Sequence, residues 1–294
     1  MLMNYQRFVS AVREGIRHSV KADVDVQIQT VVKNNGIERR GLTFQEKEIN
    51  ISPTIYLEEY YEQFQRGESM DEIIRHILEL YYEVRFRKSW EMDYLKDYEA
   101  VRERAVMKLI NREQNMSLLK GIPYVSYLDF AVVFYILLST KENESATVTI
   151  TNDHLRYWGV EKEELYEDAM KNSPHLLPCT IKTMKQAVAE MLGTDAPEND
   201  VDNMYIVSNE TKNLGASCIL YPHVMEKVYE RIGENFYILP SSIHEVIVIP
   251  ESKSPMRPQL DCMIQEVNET QVEEEEVLSS HAYYYSHKEG RIFL

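Results

Sequence analysis

Two periods of apolar residues run through this chain, and the points where one gives way to the other mark its elements. Over residues 4–20, Phe8, Val9, Val12, Ile16 and Val20 form one helical stripe, with Arg7, Arg13, Glu14 and Arg17 off it, which predicts an amphipathic helix. From Asp23 the period falls to two, because Val24, Val26, Ile28, Thr30 and Val32 alternate with Asp23, Asp25, Gln27, Gln29 and Val31. Asn34-Asn35-Gly36 follows, and Asn-Gly takes the positive φ angles of a hairpin turn, so a second strand is expected over about 37–44. Ser52 then reads as a helix N-cap with Pro53 at the first helical position, and Leu57, Tyr60, Tyr61 and Phe64 continue the stripe to Gly67. Ser69 and Glu72 form a capping box for a second helix through Ile73, Ile74, Ile77 and Tyr81. A charged stretch, 90–113, completes the region as a third helix.

Beyond Gly121 and Pro123 the pattern changes again. Residues 127–138 are continuously apolar and rich in β-branched and aromatic side chains, as a strand buried on both faces is, and 146–151 alternates beside it. Short helices fill 152–192, with breaks placed at Gly159, Pro174 and Pro178, and 195–200 is a loop by composition. Strands at 203–208 and 216–220, a helix at 222–232, strands at 236–239 and 245–249, a helix at 258–268 and short strands at 282–286 and 291–294 follow. Strands thus come in adjacent pairs with helices between the pairs, which predicts an α+β fold with a largely antiparallel sheet and a helical N-terminal part. The boundary falls at 116/117, giving an N-terminal helix-hairpin-helices region, 1–116, and a C-terminal α+β region, 117–294, or one continuous domain. The hairpin and helix at 24–66 find a weak echo in 203–232.

Charge narrows the functional classes. The 294 residues hold 48 Asp+Glu against 32 Lys+Arg, a net charge of −16. Nucleic-acid binding draws on a concentrated basic face, and the richest stretch, Arg102, Arg104, Lys108, Arg112 and Lys120 against Glu103 and Glu113, has a surplus of only three. Residues 266–276 carry six glutamates and no base, a solvated acidic edge. The longest apolar run, 125–138, contains Asp129 and falls short of the roughly 20 residues of a membrane helix. The N-terminus lacks the pattern of a signal peptide. Cys179, Cys218 and Cys262 are widely spaced and read as small hydrophobes. A cytoplasmic protein is therefore expected, with no membrane and no nucleic-acid partner.

One string concentrates chemistry. Between the strands at 236–239 and 245–249 stand Pro240, Ser241, Ser242, Ile243, His244 and Glu245, two hydroxyls, an imidazole and a carboxylate. The His-Glu pair lacks the second histidine of a zinc motif, since position 248 is Val, and if strand geometry starts at His244 the two neighbours point to opposite faces and do not address one metal. Ser242 and His244, two apart, share a face, but no G-x-S-x-G elbow surrounds either serine, and turn serines commonly bond their own backbone. His281 and His287 flank Tyr283-Tyr284-Tyr285 without a spacing that demands a metal. No phosphate-binding glycine loop occurs. Tyr56, Tyr60, Tyr61, Tyr81 and Tyr82 read first as core aromatics and second as a binding face. Ser241, Ser242, His244 and Glu245 are the candidate binding residues; no catalytic residue, metal site or cofactor is assigned.

Four strings carry a further signal: 50–58 with Gly67, Tyr127-Leu128-Asp129-Phe130-Ala131-Val132, Gly215-Ala216-Ser217-Cys218-Ile219-Leu220-Tyr221, and Leu239-Pro240-Ser241-Ser242-Ile243-His244-Glu245. Together they resemble a family of uncharacterised proteins, a domain of unknown function, from gut-dwelling Firmicutes. The resemblance spans nearly the whole chain; it implies a bacterial cytoplasmic setting and brings no activity, cofactor or catalytic residue with it. The expected function is non-enzymatic: binding or regulation through a protein partner or a small ligand. The alternative is a hydrolase using the Ser241–Glu245 segment, with or without metal assistance.

Overall fold

A computed structural model describes residues 3–47, 52–85, 95–141, 144–194 and 202–294. The fold is α+β with antiparallel strand pairing throughout the described residues. The chain forms two compact units, one of Met1–Lys33 with Ile37–Met92 and one of Asn34–Gly36 with Asp93–Leu294.

In the first unit, α1 (Tyr5–Ser19) starts where the Asn4 side chain accepts the Arg7 N–H, meeting one of the unpaired donors of a helix start. β1 (Val24–Val32) and β2 (Glu38–Glu46) pair in full register, and β3 (Thr54–Tyr56) lies on the other side of β2, giving the order β1-β2-β3. Helices α2 (Glu58–Gln65) and α3 (Met70–Val84) follow, the latter with the Ser69–Glu72 capping box in place. Phe8, Val12 and Ile16 of α1 and Ile73, Ile77 and Tyr81 of α3 bury against Val26, Leu42 and Phe44 of the sheet. The expected helix at Ser52-Pro53 starts later. Pairing of Leu42 with Ile55 draws 54–56 into the sheet, and the Ser52 hydroxyl accepts the Phe44 N–H at 2.9 Å instead of capping a helix.

The second unit opens with α4 (Tyr98–Val101), a 3-10 turn at Arg102–Arg104 and β4 (Ala105–Asn111). The helix expected over 90–113 is therefore not formed in its described part. Ala105, Val106, Met107, Leu109 and Ile110 are buried on both faces, the pattern of a central strand. After β5 (Tyr124–Tyr127), β6 (Phe130–Lys141) pairs with β4, β5 and then β7 (Glu144–Thr149). Next come α5 (Asn152–Trp158), α6 (Lys162–Leu176), β8 (Cys179–Thr183), α7 (Met184–Leu192) and β9 (Tyr205–Asn209). The chain ends with α8 (Val224–Ile232), β10 (Phe236–Leu239), β11 (Val246–Pro250), α9 (Arg257–Thr270), β12 (Tyr283–Ser286) and β13 (Arg291–Phe293). Six strands make a second sheet in the order β13-β12-β10-β11-β9-β8.

Four expectations are corrected here. Residues 215–220 form a buried 3-10 helix rather than a strand, so the echo of the N-terminal hairpin disappears. Pro174 sits inside α6 rather than breaking it, and β8 is a strand within a region read as helices. Cys218 is buried and Cys179 partly so, but Cys262 is exposed on α9. The loop predicted at 195–200 lies outside the described residues. Among the described residues no helix is long and apolar enough to cross a membrane.

Candidate functional site

The segment between β10 and β11 is stitched down on both sides. Its backbone meets residues 276–279: Ile243 N–H donates to the Glu276 carbonyl at 2.9 Å, Leu278 N–H to Ser241 at 2.9 Å and Ser279 N–H to Pro240 at 3.0 Å. On the other side Ala216 N–H donates to the Ile243 carbonyl at 3.2 Å and Ser208 Oγ to the His244 carbonyl at 2.8 Å. Gly215 permits this approach, since a Cβ there would stand 2.3 Å from Ser208 Oγ and 2.5 Å from the His244 oxygen.

His244 is held at both ring nitrogens. Leu214 N–H donates to Nδ1 at 3.3 Å, so the ring proton is assigned to Nε2, which lies 3.0 Å from Glu276 Oε1. That hydrogen bond holds the Glu276 carboxyl below the usual carboxylate range, against the opposing effect of burial. Ser242 Oγ accepts the backbone N–H of His244 at 3.0 Å, a hydroxyl turn of the kind serine commonly makes. The imidazole and Ser242 hydroxyl are thus each committed to local structure.

Strand alternation sends the other two candidates elsewhere. Ile247 and Ile249 share one face of β11, opposite Val246 and Val248, which enter the main core, and Glu245, just ahead of the strand, lines the same cavity as those two isoleucines. Leu239 pairs with Ile247, so it and Ser241 continue that face, and α9 covers it with the buried Leu260 and Ile264. Toward its C-terminal end α9 leaves a cavity of about 320 Å³ against the sheet. Its walls are Met204, Leu239, Ile247, Ile249, Met263 and Val267, with Met184 at the start of α7. Ser241, Glu245 and Gln271 supply its polar groups; Ser242 and His244 lie outside it. Burial raises the Glu245 carboxyl above the usual range, reinforced by Glu276 and opposed by His244 and Lys212. Among the described residues no side chain or backbone N–H donates to that carboxylate. The four candidate residues thus divide into a structural pair and a cavity pair.

The family model of DUF5688, a family of unknown function, matches residues 5–287. The chain belongs to that family. No curated protein and no solved structure matches it. Every residue that lines the cavity of this DUF5688 chain falls within the matched span.

The remaining candidates are placed plainly. Among the described residues no three His, Cys, Asp or Glu side chains gather as a metal site. The His287 ring stacks on Tyr229 at 3.8 Å, and His281 N–H bonds Ser279 Oγ. The basic stretch from Arg102 is a 3-10 turn and a strand, not one helix face; Arg102 pairs with Glu99 and Asp168, and Arg104 donates to the Leu138 carbonyl. Within the acidic edge, the backbone carbonyls of Glu274 and Glu275 accept from Asn35 and Asn34. Tyr81 is core, while Tyr82 is 47% exposed. Sequence reasoning missed Glu276 as the partner of His244, and it missed the methionines of the cavity. The spacing of Leu260, Met263, Ile264, Val267 and Gln271 on one helical stripe was the available signal for the latter.

Proposed function

We propose that this chain is a non-enzymatic binding protein of the bacterial cytoplasm whose cavity under α9 takes a small, largely apolar ligand bearing an amine. The observation that carries the reading is the Glu245 carboxylate: half-buried, without a donor from the described protein, and standing with Ser241 and Gln271 in a cavity lined mainly by methionine, leucine, isoleucine and valine. A carboxylate desolvated without a partner costs free energy, and a ligand ammonium or N–H offsets that cost at the moment of binding. The Ser241 hydroxyl adds a second polar contact beside it. At about 320 Å³ the cavity lies near the lower end of the roughly 300–1,000 Å³ of ligand pockets, which suits a compact ligand.

Hydrolysis receives no support from this geometry, because both ring nitrogens of His244 and the Ser242 hydroxyl are engaged away from the cavity. The test is calorimetric titration of the full chain with an alkylamine, the matching alcohol and the matching carboxylate. The amine is expected to bind best and the carboxylate worst, and Glu245→Gln to erase the amine's advantage while the alcohol's affinity holds. Equal binding of all three compounds, or none by any, would remove the reading.

A further inference from the structure

The first unit carries a groove built from different residues from the cavity under α9. β1 is an edge strand: the sheet order is β1-β2-β3, and among the described residues no strand pairs with its outer side. The hairpin register fixes which backbone groups that edge presents. Lys33 N–H donates to the Ile37 carbonyl, so the hydrogen-bonded pairs recur at Val31–Arg39, Gln29–Gly41 and Gln27–Thr43. Ile28, Thr30 and Val32 consequently turn their N–H and C=O groups outward. The same parity turns the Val26 carbonyl outward, and there Arg13 Nε of α1 meets it at 3.3 Å.

Alongside this edge runs a groove. Its central cavity, about 720 Å³, is walled by Val9, Ser10, Arg13, Arg17 and His18 of α1 and by Ile28 of β1, with Glu14 the acidic group among them. A second cavity of about 390 Å³ shares Val9, reaches Thr30 and continues over Glu38, Arg39 and Arg40 of β2 to Glu58. The groove therefore follows the helix and the strand together along the stretch where β1 presents Ile28 and Thr30. Its apolar floor, Val9 and Ile28, lies between a cationic wall and a row of unpaired peptide groups. A row of outward N–H and C=O groups is a template for one more strand, and the side-chain groove beside it selects which strand is added.

We propose that the groove between α1 and the β1 edge binds an extended acidic peptide segment of a partner protein by strand addition. Charge complementarity chooses the occupant at the central cavity, where Arg13 and Arg17 outnumber Glu14 with His18 beside them, while Arg39 and Arg40 balance Glu38 and Glu58 in the second, in a chain whose net charge is −16. The peptide backbone pairs with Ile28 and Thr30, alternate apolar side chains rest on Val9 and Ile28, and carboxylates meet the two arginines. Arg13 keeps the Val26 carbonyl occupied and so ends the ladder at that point.

The test uses the full chain and a fluorescein-labelled peptide of about seven residues, a usual strand length, that alternates valine and glutamate. Its anisotropy is titrated beside two relatives, one with lysine for glutamate and one N-methylated at alternate residues. The acidic peptide is expected to bind, with each relative weaker by about tenfold or more. Arg13→Glu with Arg17→Glu should weaken it similarly. Thr30→Pro removes an outward N–H without touching the β1–β2 ladder, a position where an edge strand tolerates proline, and should also weaken it. Undiminished binding of the N-methylated peptide overturns strand addition, and this result decides the matter even where Thr30→Pro unfolds the chain. Undiminished binding by a Thr30→Pro protein with wild-type circular dichroism overturns it too. Retention of a single-stranded oligonucleotide in place of the peptide assigns the groove to polyanions and overturns the peptide.

Discussion

Glu245 and Glu276 flank the same histidine, and their carboxyl groups are displaced in opposite directions. Glu276 lies below the usual range because of its hydrogen bond with His244, whereas Glu245 lies above it because of burial. The linkage signs follow. A lowered folded pKa gives stability that is present above the unfolded value and is lost as pH falls through the folded one; a raised folded pKa gives stability that is present below the unfolded value and is lost as pH rises through the folded one. Glu276→Gln should therefore lower the urea midpoint at neutral pH and flatten the acid limb. The side chain is 38% exposed, so the loss should stay within about 1 kcal/mol. Glu245→Gln should do the reverse, raising the neutral midpoint and giving no gain at about pH 4. Urea titrations at the two pH values check both signs, and a shared sign would contradict the assignment. The alternation that separates His244 from Glu245 is legible in the sequence. The Glu276 contact is not, because it arises from Ile243 bonding to the backbone of Glu276, 33 positions further along the chain, which no local pattern records.

At the scale of elements, what was legible depended on whether a local rule had a tertiary competitor. The capping box at Ser69, the Asn35-Gly36 turn with φ of 60° and 73°, and the stripe of α1 all formed as their sequences predict. Ser52-Pro53 lost to sheet pairing at Ile55, and the charges around 90–113 concealed a short apolar run whose length alone does not separate strand from helix. The segment at 215–220 reads as a strand by its apolar content, yet it is wound as a 3-10 helix packed beneath the 241–245 segment. Gly215 is the hinge of that packing. A Cβ at this position would meet not only Ser208 Oγ and the His244 carbonyl but also Asn209 N at 2.7 Å, two backbone atoms in neighbouring elements. Gly215→Ala should cost at least about 1–3 kcal/mol by overpacking. It should also displace His244, read as a shifted imidazole resonance by NMR. A variant with wild-type melting and an unmoved resonance would show that the close approach is absent.

For the molecule as a whole, the paired-strand order of the sequence was enough to indicate an antiparallel α+β fold, since pairs of neighbouring strands need only short connections. It was not enough to show that the second unit divides its strands between two sheets, because that division depends on contacts between residues far apart in the chain. One such contact joins β12 of the six-stranded sheet to the turn between β5 and β6. Tyr283, 1% exposed, donates to Asp129 Oδ1 at 2.6 Å and stands 3.0 Å from Ser279 Oγ, while its ring lies 5.0 Å from that of Phe130. Asp129 thereby has a purpose inside an otherwise apolar run: it accepts the hydroxyl of a strand in the other sheet. Removing the hydroxyl alone keeps the ring packing and leaves the carboxylate without its donor, which costs about 1–3 kcal/mol when such a group is buried. Tyr283→Phe is therefore expected to lower unfolding stability by that amount. By hydrogen exchange it should reduce protection in β6 and β12 together, since each belongs to one of the sheets the bond connects. Loss confined to β12 would mean that the two sheets are joined by apolar packing alone.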